Sequence, residues 1–168
     1  AFRFQGYWKD VGTLTSLWDA NMDMLSPDSG LDLSDESWPI YARSVDAPPI
    51  YMGGDSHVSH SAINRGCDIE GTAENSVLSP RVTIEKGARV SYSVILPGVT
   101  VEAGAVIEYA IIGEGCHIGR ECRVGGTPDS APGGKWNLTV LAPDCALEDG
   151  REIAPGVMLD RYGKEVLK

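Results

Sequence analysis

The fold is decided by residues 61–126: SAINRGCDIEGTAEN (61–75), SVLSPRVTIEKGARVSY (76–92), SVILPGVTVEAGAVIEY (93–109) and AIIGEGCHIGRECRVGG (110–126). The last three blocks hold 17 residues each and the first holds 15. Aliphatic residues recur at fixed offsets within them. Leu78, Ile84 and Val90 stand six apart, as do Ile95, Val101 and Ile107, and then Ile112, Ile118 and Val124; Ile63 and Ile69 begin the same series in the shorter block. A helix would repeat every 3.6 residues or so and a half-buried strand about every 2, so a period of 17 cut into thirds predicts three short strands per coil of a solenoid. Each coil then turns one aliphatic side chain per face inward. Coils stacked about 4.8 Å apart bring those side chains into continuous rungs.

The small residues agree with this register. Gly66, Gly98 and Gly115 share one offset, with Arg81 standing there in the second block; Gly87 and Gly104 share another, with Glu121 in the last. A tight corner needs positive φ, which glycine supplies. Ala73, Ala88, Ala105 and Cys122 share a third offset, where a small side chain fits inside a corner. This aliphatic-x-x-x-small-x pattern resembles the hexapeptide repeat. The resemblance implies a mainly β fold, a left-handed parallel β-helix. Its handedness comes from the resemblance alone, because crossovers in general prefer the right hand.

The rest of the chain divides around this core. In residues 1–26, apolar Leu14, Leu17, Trp18, Met22 and Leu25 follow helical spacing, with Thr13 or Thr15 placed to cap the start and Pro27 after the end. One amphipathic α-helix about 20 Å long is predicted there, its stripe packed on a neighbour. Residues 27–60 begin as an acidic loop, SPDSGLDLSDES, and continue as WPIYARSVDAPPIYM. Pro48 and Pro49 impose an extended path, and Trp38, Tyr41 and Tyr51 are expected to cover an end or edge of the solenoid. The β-helix domain itself is assigned to 61–168, with a Gly/Pro-rich loop insertion at 125–137. The six-residue step resumes at Leu141, Leu147, Ile153 and Leu159. Lys135 and Trp136 on the loop are possible partner contacts.

Composition narrows the function classes. A hydrophobic content of 42% in 168 residues fits one globular domain, and a net charge of −10 argues against nucleic acid or an anionic membrane as partner. No apolar run approaches the roughly 20 residues that span a bilayer, and a cytoplasmic setting is expected. Cys67 and Cys116 occupy an offset held by valine in the other coils, and Cys122 one held by alanine. These are the positions of structural free thiols, and Cys145 falls in a weaker repeat. There is no C-x-x-C pair.

The phrase GYWKDVGTLTSLWDANMDML (6–25), then WPIYARSVDAPPIY (38–51), then a hexapeptide solenoid resembles the C-terminal part of bacterial glucose-1-phosphate adenylyltransferases, from about Gly6 to Val124. The resemblance implies that residues 1–26 end a catalytic domain (strand and helix), that 27–60 link it to the β-helix, and that the β-helix builds subunit and regulatory contacts. It implies a parent enzyme that joins ATP and glucose 1-phosphate into ADP-glucose and pyrophosphate for glycogen biosynthesis, as an allosterically controlled homotetramer. In the W-x-D-V-G-T phrase, Asp10 corresponds to one of two acidic groups holding Mg²⁺, a metal that prefers hard oxygen ligands. The family's Gly-rich nucleotide loop, its second metal carboxylate and its sugar-phosphate lysine have no counterpart here. No catalytic residue is therefore assigned within the chain, substrate contacts stay unassigned, and the chain alone is expected to be inactive.

Other readings compete. A non-catalytic regulatory subunit of the same family would look alike over these residues. A hexapeptide acyltransferase would use a corner histidine as general base, whereas His117 stands at the offset of Asp68, Thr83 and Thr100 and should face outward. A γ-class carbonic anhydrase needs three zinc histidines closer together than His57, His60 and His117. The register itself is testable. Ile95→Asp or Val101→Asp would bury a charge in a stacked rung and cost at least about 3 kcal/mol. A thermal melt reads this directly, and an unshifted midpoint would refute the register.

Overall fold

The computed structural model describes residues 1–33, 35–37, 39, 41, 45–130 and 137–166. Trp38, Lys135 and Trp136, and the roles expected of them, lie outside these residues. The chain is a parallel β-helix with three flat faces. Face one stacks β1 (Tyr51–Met52), β4 (Asp68–Ile69), β7 (Thr83–Ile84), β10 (Thr100–Val101), β13 (His117–Ile118) and β16 (Ala146–Leu147). Face two stacks β2 (His57–Ser59), β5 (Thr72–Glu74), β8 (Arg89–Ser91), β11 (Val106–Glu108), β14 (Arg123–Gly125) and β17 (Glu152–Ile153). Face three stacks β3 (Ala62–Ile63), β6 (Val77–Leu78), β9 (Val94–Ile95), β12 (Ala110–Ile112), β15 (Thr139–Leu141) and β18 (Met158–Leu159).

Pairing is parallel, and equal offsets of the 17-residue blocks meet. Val101 lies between Ile84 and Ile118, and Ile107 between Val90 and Val124. Ile69, Leu78, Ile84, Val90, Ile95, Val101, Ile107, Ile112, Ile118 and Val124 are all buried in one continuous core. Ile63 is only half-buried, because β3 is the end strand of its sheet among the described residues. The small positions Ala88, Ala105 and Cys122 are fully buried, and so are Cys67, Cys116 and Cys145 in a second column. Ala73 is buried but is no corner residue, contrary to its sequence offset: the 15-residue block is two residues shorter at the corner before β5, so Ala73 pairs with Val58 and Val90 and fills a rung of face two. The register His117 with Ala146 puts Cys145 directly above Cys116.

The regular ladder starts at Tyr51, upstream of the Ser61 boundary read from the sequence. Tyr51 pairs with Asp68, whose side chain is exposed on face one, and Tyr51 is itself 58% exposed; Tyr41 is 91% exposed. Neither ring covers an edge, contrary to expectation. The linker docks through its backbone instead. The Arg81 guanidinium donates to the Asp46 carbonyl at 2.7 Å, and the Gly66 amide donates to the Pro48 carbonyl at 2.8 Å.

The corners use positive φ, except those between β1 and β2 and between β4 and β5. One column holds Gly66, Arg81, Gly98, Gly115 and Asp144, and another holds Gly87, Gly104, Glu121 and Gly150. Arg81 and Glu121, the two breaks in the glycine pattern, adopt the corner conformation with φ of 63° and 54°. The left-handed region costs a residue with a Cβ about 1 kcal/mol, which the inter-coil ladder easily outweighs.

A buried hydroxyl ladder runs up the third corner. Ser61, Ser76 and Ser93 donate to the carbonyls of Ser59, Glu74 and Ser91 at 2.8, 2.8 and 2.7 Å. Each oxygen also accepts the amide of the residue one coil on: Ser76, Ser93 and Ala110, all at 3.1 Å. The corner leaves those amides outside the strand ladder, and a buried amide must be paired. Thr139 repeats the device, donating to Ala154 and accepting from Gly156.

Helix α1 (Leu14–Asp23) lies on face three. Thr13 caps it, with the Ser16 amide donating to the Thr13 hydroxyl oxygen at 3.1 Å and the Thr13 amide donating to the Ser16 hydroxyl oxygen at 3.0 Å. Its Leu17, Trp18 and Met22 pack against Val94, Ile111 and Leu138, which are buried although they point away from the solenoid interior. Ser93→Ala tests the hydroxyl ladder. It leaves the Ala110 amide buried without a partner and should cost about 1–3 kcal/mol. The expected result is a lower urea midpoint at unchanged slope.

Candidate functional site

The segment ahead of α1 is held by a polar clamp. The Asp23 carboxylate accepts from the Tyr7 hydroxyl at 2.9 Å and from the Lys9 ammonium at 2.6 Å. These two donors, Lys9 first, hold the Asp23 carboxyl below its ordinary range. The hydrogen bond to Asp23 raises Lys9, while partial desolvation and then that same carboxylate raise Tyr7. Trp8 and Val11 are 76% and 47% exposed, so the segment is anchored by this clamp and not by packing of those two side chains.

Asp10 sits beside the clamp on the same segment and is exposed. It makes no hydrogen bond or ion pair with the described residues. The contrast with Asp23 is chemical: one carboxylate is committed to a cation and a phenol, the other is free to take a ligand. Among the described residues, no group of three or more His, Cys, Asp or Glu side chains converges on a point where a metal could sit. Asp10 therefore offers a single hard oxygen donor. It fits as one ligand of an ion that keeps several waters and takes its remaining ligands from phosphate, as Mg²⁺ does.

The histidines form no such centre. His117 is exposed on face one, its Nε2 3.2 Å from Glu102, which also lies 3.8 Å from Arg120. His57 is exposed on face two, 3.7 Å from Glu74, and His60 occupies a corner. The four cysteines are free and buried, and burial raises all four thiols, Cys116 to about 11. At neutral pH they stay protonated.

Sequence reading missed two features. One is the hydroxyl ladder, although Ser61, Ser76 and Ser93 each open a block. The other is an aromatic stack at the same corner: Tyr92 and Tyr109, which close their blocks, lie 4.7 Å apart at 7°. Trp18 joins it, with its ring 6.0 Å from Tyr109 and its Nε1 donating to the Tyr92 carbonyl at 2.8 Å.

Three faces of in-register coils with small residues inside each corner define a hexapeptide-repeat protein. Residues 51–139 match the family described as GlmU-like, C-terminal hexapeptide, and the chain belongs to that family. Among curated relatives, it is 53% identical over 90 residues to the glucose-1-phosphate adenylyltransferase of Geobacillus stearothermophilus, covering 54% of this chain and 23% of that protein. It is 49% identical over 90 residues to the enzyme of the same name from Bacillus mycoides (strain KBAB4), covering 54% of this chain and 24% of that protein. The match thus spans about a quarter of those relatives' length. Among solved structures, the acetyltransferase domain of PglB from Neisseria gonorrhoeae FA1090, in complex with acetyl coenzyme A, aligns with a TM-score of 0.53 at 19% identity, over 71% of this chain and 58% of that one. That likeness shows the shared fold. No helix among the described residues is long and apolar enough to cross a membrane.

The clamp makes a pH prediction. Because its folded-state pKa is depressed, Asp23 contributes fully above the ordinary carboxylate value of about 3.9 and loses its contribution as pH falls below that value and through the depressed one. Hydrogen exchange at residues 7–12 should quicken in that acid window and, in Asp23→Asn, already at neutral pH. Equal protection in wild type and variant at neutral pH would rule the clamp out.

Proposed function

We propose that this chain is the C-terminal part of a glucose-1-phosphate adenylyltransferase: residues 1–26 end its catalytic domain, and the β-helix is its assembly and regulatory domain. The observation that carries this reading is the 53% identity over 90 residues to a protein of that name. The parent enzyme joins ATP and glucose 1-phosphate, releasing pyrophosphate and ADP-glucose for glycogen synthesis. It works in the cytoplasm as an allosterically regulated homotetramer. A solenoid suits assembly, because its flat faces pair readily about symmetry axes.

On this reading Asp10 is one ligand of a catalytic Mg²⁺. Bound there, the ion would neutralise phosphate charge at the reacting centre. The chain's own contribution is placement. The Tyr7–Asp23–Lys9 clamp ties the segment to α1, α1 is seated on face three, and the Asp10 carboxylate is left uncommitted. The nearest competing arrangement, an acyltransferase with His117 as base, has less support, because His117 stands exposed on face one with its Nε2 already 3.2 Å from Glu102.

In the parent protein, Asp10→Asn keeps the side-chain shape and removes the charge. The expected result is a fall in kcat of about 100-fold or more, with the melting temperature and the assembly unchanged. Steady-state kinetics across a Mg²⁺ titration, beside a melting curve, measure both. Near-normal kcat would make Asp10 a turn residue. The 168-residue chain assayed alone should form no ADP-glucose, and turnover by it would overturn the two-domain reading.

A further inference from the structure

The corner between faces two and three carries the column His60, Asn75, Tyr92 and Tyr109, each with φ between 43° and 49°. Coil spacing sets the spacing of the side chains in this column. Tyr92 and Tyr109 accordingly stack as parallel rings at 4.7 Å, one coil apart. One coil further towards the N-terminal end, Asn75 has no ring, and the stack stops. The second face of Tyr92 has no aromatic partner among the described residues, and Tyr92 is 39% exposed.

A groove of about 250 Å³ opens at this point, bounded by Trp18, Met22, Leu25, His60, Asn75 and Tyr92. Its walls are the helix side chains on one flank and the corner column on the other. The side chains of His60 and Asn75 make no hydrogen bond or ion pair with the described residues. Together with Ser26 they place hydrogen-bonding groups at a site whose other walls are Trp18, Met22, Leu25 and Tyr92.

We propose that this groove binds a flat heteroaromatic ring of the nucleobase class, stacked on Tyr92 in the rung that Asn75 leaves open. The height of that rung is one coil spacing, about 4.8 Å, which admits a flat ring. Every base presents a π-face, and stacking on an aromatic side chain is its usual mode of capture. The amide of Asn75, in that rung, can pair with the donor and acceptor edge of such a ring, and the imidazole of His60, one coil further along the column, lies towards its other face. The chain carries a net charge of −10, which selects a neutral nucleoside over a phosphorylated one. This site is separate from Asp10, and the inference does not depend on the catalytic reading.

The test uses adenosine and the 168-residue chain. Binding is followed by calorimetry and by saturation-transfer NMR of the ligand, with Tyr92→Leu and Asn75→Tyr as variants. Tyr92→Leu removes the platform and should weaken binding by about 10-fold or more. Asn75→Tyr continues the stack and fills the rung, as Tyr92 and Tyr109 do at the same backbone angle, so binding should vanish while the melting temperature holds or rises. Should Tyr92→Leu fail to fold, Asn75→Tyr decides the matter alone. No binding of adenosine at millimolar concentration, or unchanged affinity in a folded variant, would overturn the proposal.

Discussion

Each coil is held in place by parallel backbone hydrogen bonds to the coils on either side, and everything else in the structure depends on that ladder. Thr83 donates to Val99, Thr100 to Cys116 and His117 to Cys145, each at about 3.0 Å, so every coil repeats the path of its neighbour. In-register pairing makes sequence offset equivalent to position in space. Any residue type repeated at one offset becomes a column: aliphatic inside the faces, small inside the corners, left-handed backbone at the turns. The ladder constrains only the strands. Ala110 pairs with Thr139 although the insertion separates them by far more than one 17-residue period, and the registers on either side are intact. A longer corner loop costs little closure entropy, because that cost grows only with the logarithm of length.

The corners are where this regularity is expensive, and each column meets the expense differently. Glycine fits two of them without strain. Asn75, His60 and Asp144 belong to the types that tolerate left-handed backbone best. Tyr92 and Tyr109 do not, yet their stacked rings return about 0.5–1.5 kcal/mol, comparable to the backbone cost. The hydroxyl ladder behind them pairs the amides that the turn removes from the sheets. Strain, stacking and buried hydrogen bonding thus share one edge, and α1 is fastened to that edge by the Trp18 indole.

This arrangement separates scaffold from chemistry. The solenoid interior is closed, its thiols protonated and its polar side chains paired. The Asp10 carboxylate and the side chains of His60 and Asn75 lie outside it, on the N-terminal segment and along the helix-covered edge. Asp10 reaches its position through a chain of contacts that ends in the solenoid: carboxylate clamp to α1, apolar stripe to face three. A rigid prism suits such a role, since it fixes where its attached segments sit without contributing reactive groups of its own.

The sequence by itself determined the coil period, the inward rungs and corner offsets of the 17-residue blocks, and the existence of α1, whose cap it left between Thr13 and Thr15. It could do so because a ladder of short strands converts periodicity into geometry without long-range ambiguity. It pointed to Asp10 only through the resemblance that a phrase carries, and through no pattern in space. Only the tertiary structure decided which way non-repeating parts fall. The start of the ladder at Tyr51 was hidden, because Met52 stands at the first rung of its coil and Ala73 at a rung of the next, which breaks the six-residue aliphatic step. The outward set of tyrosines, the pairing of Asp23 with Tyr7 and Lys9, and the seating of α1 on Val94 and Ile111 were likewise out of reach. Each joins residues unrelated by the repeat. Where no period links two positions, one dimension carries no record of their meeting, and packing in three dimensions selects the partner.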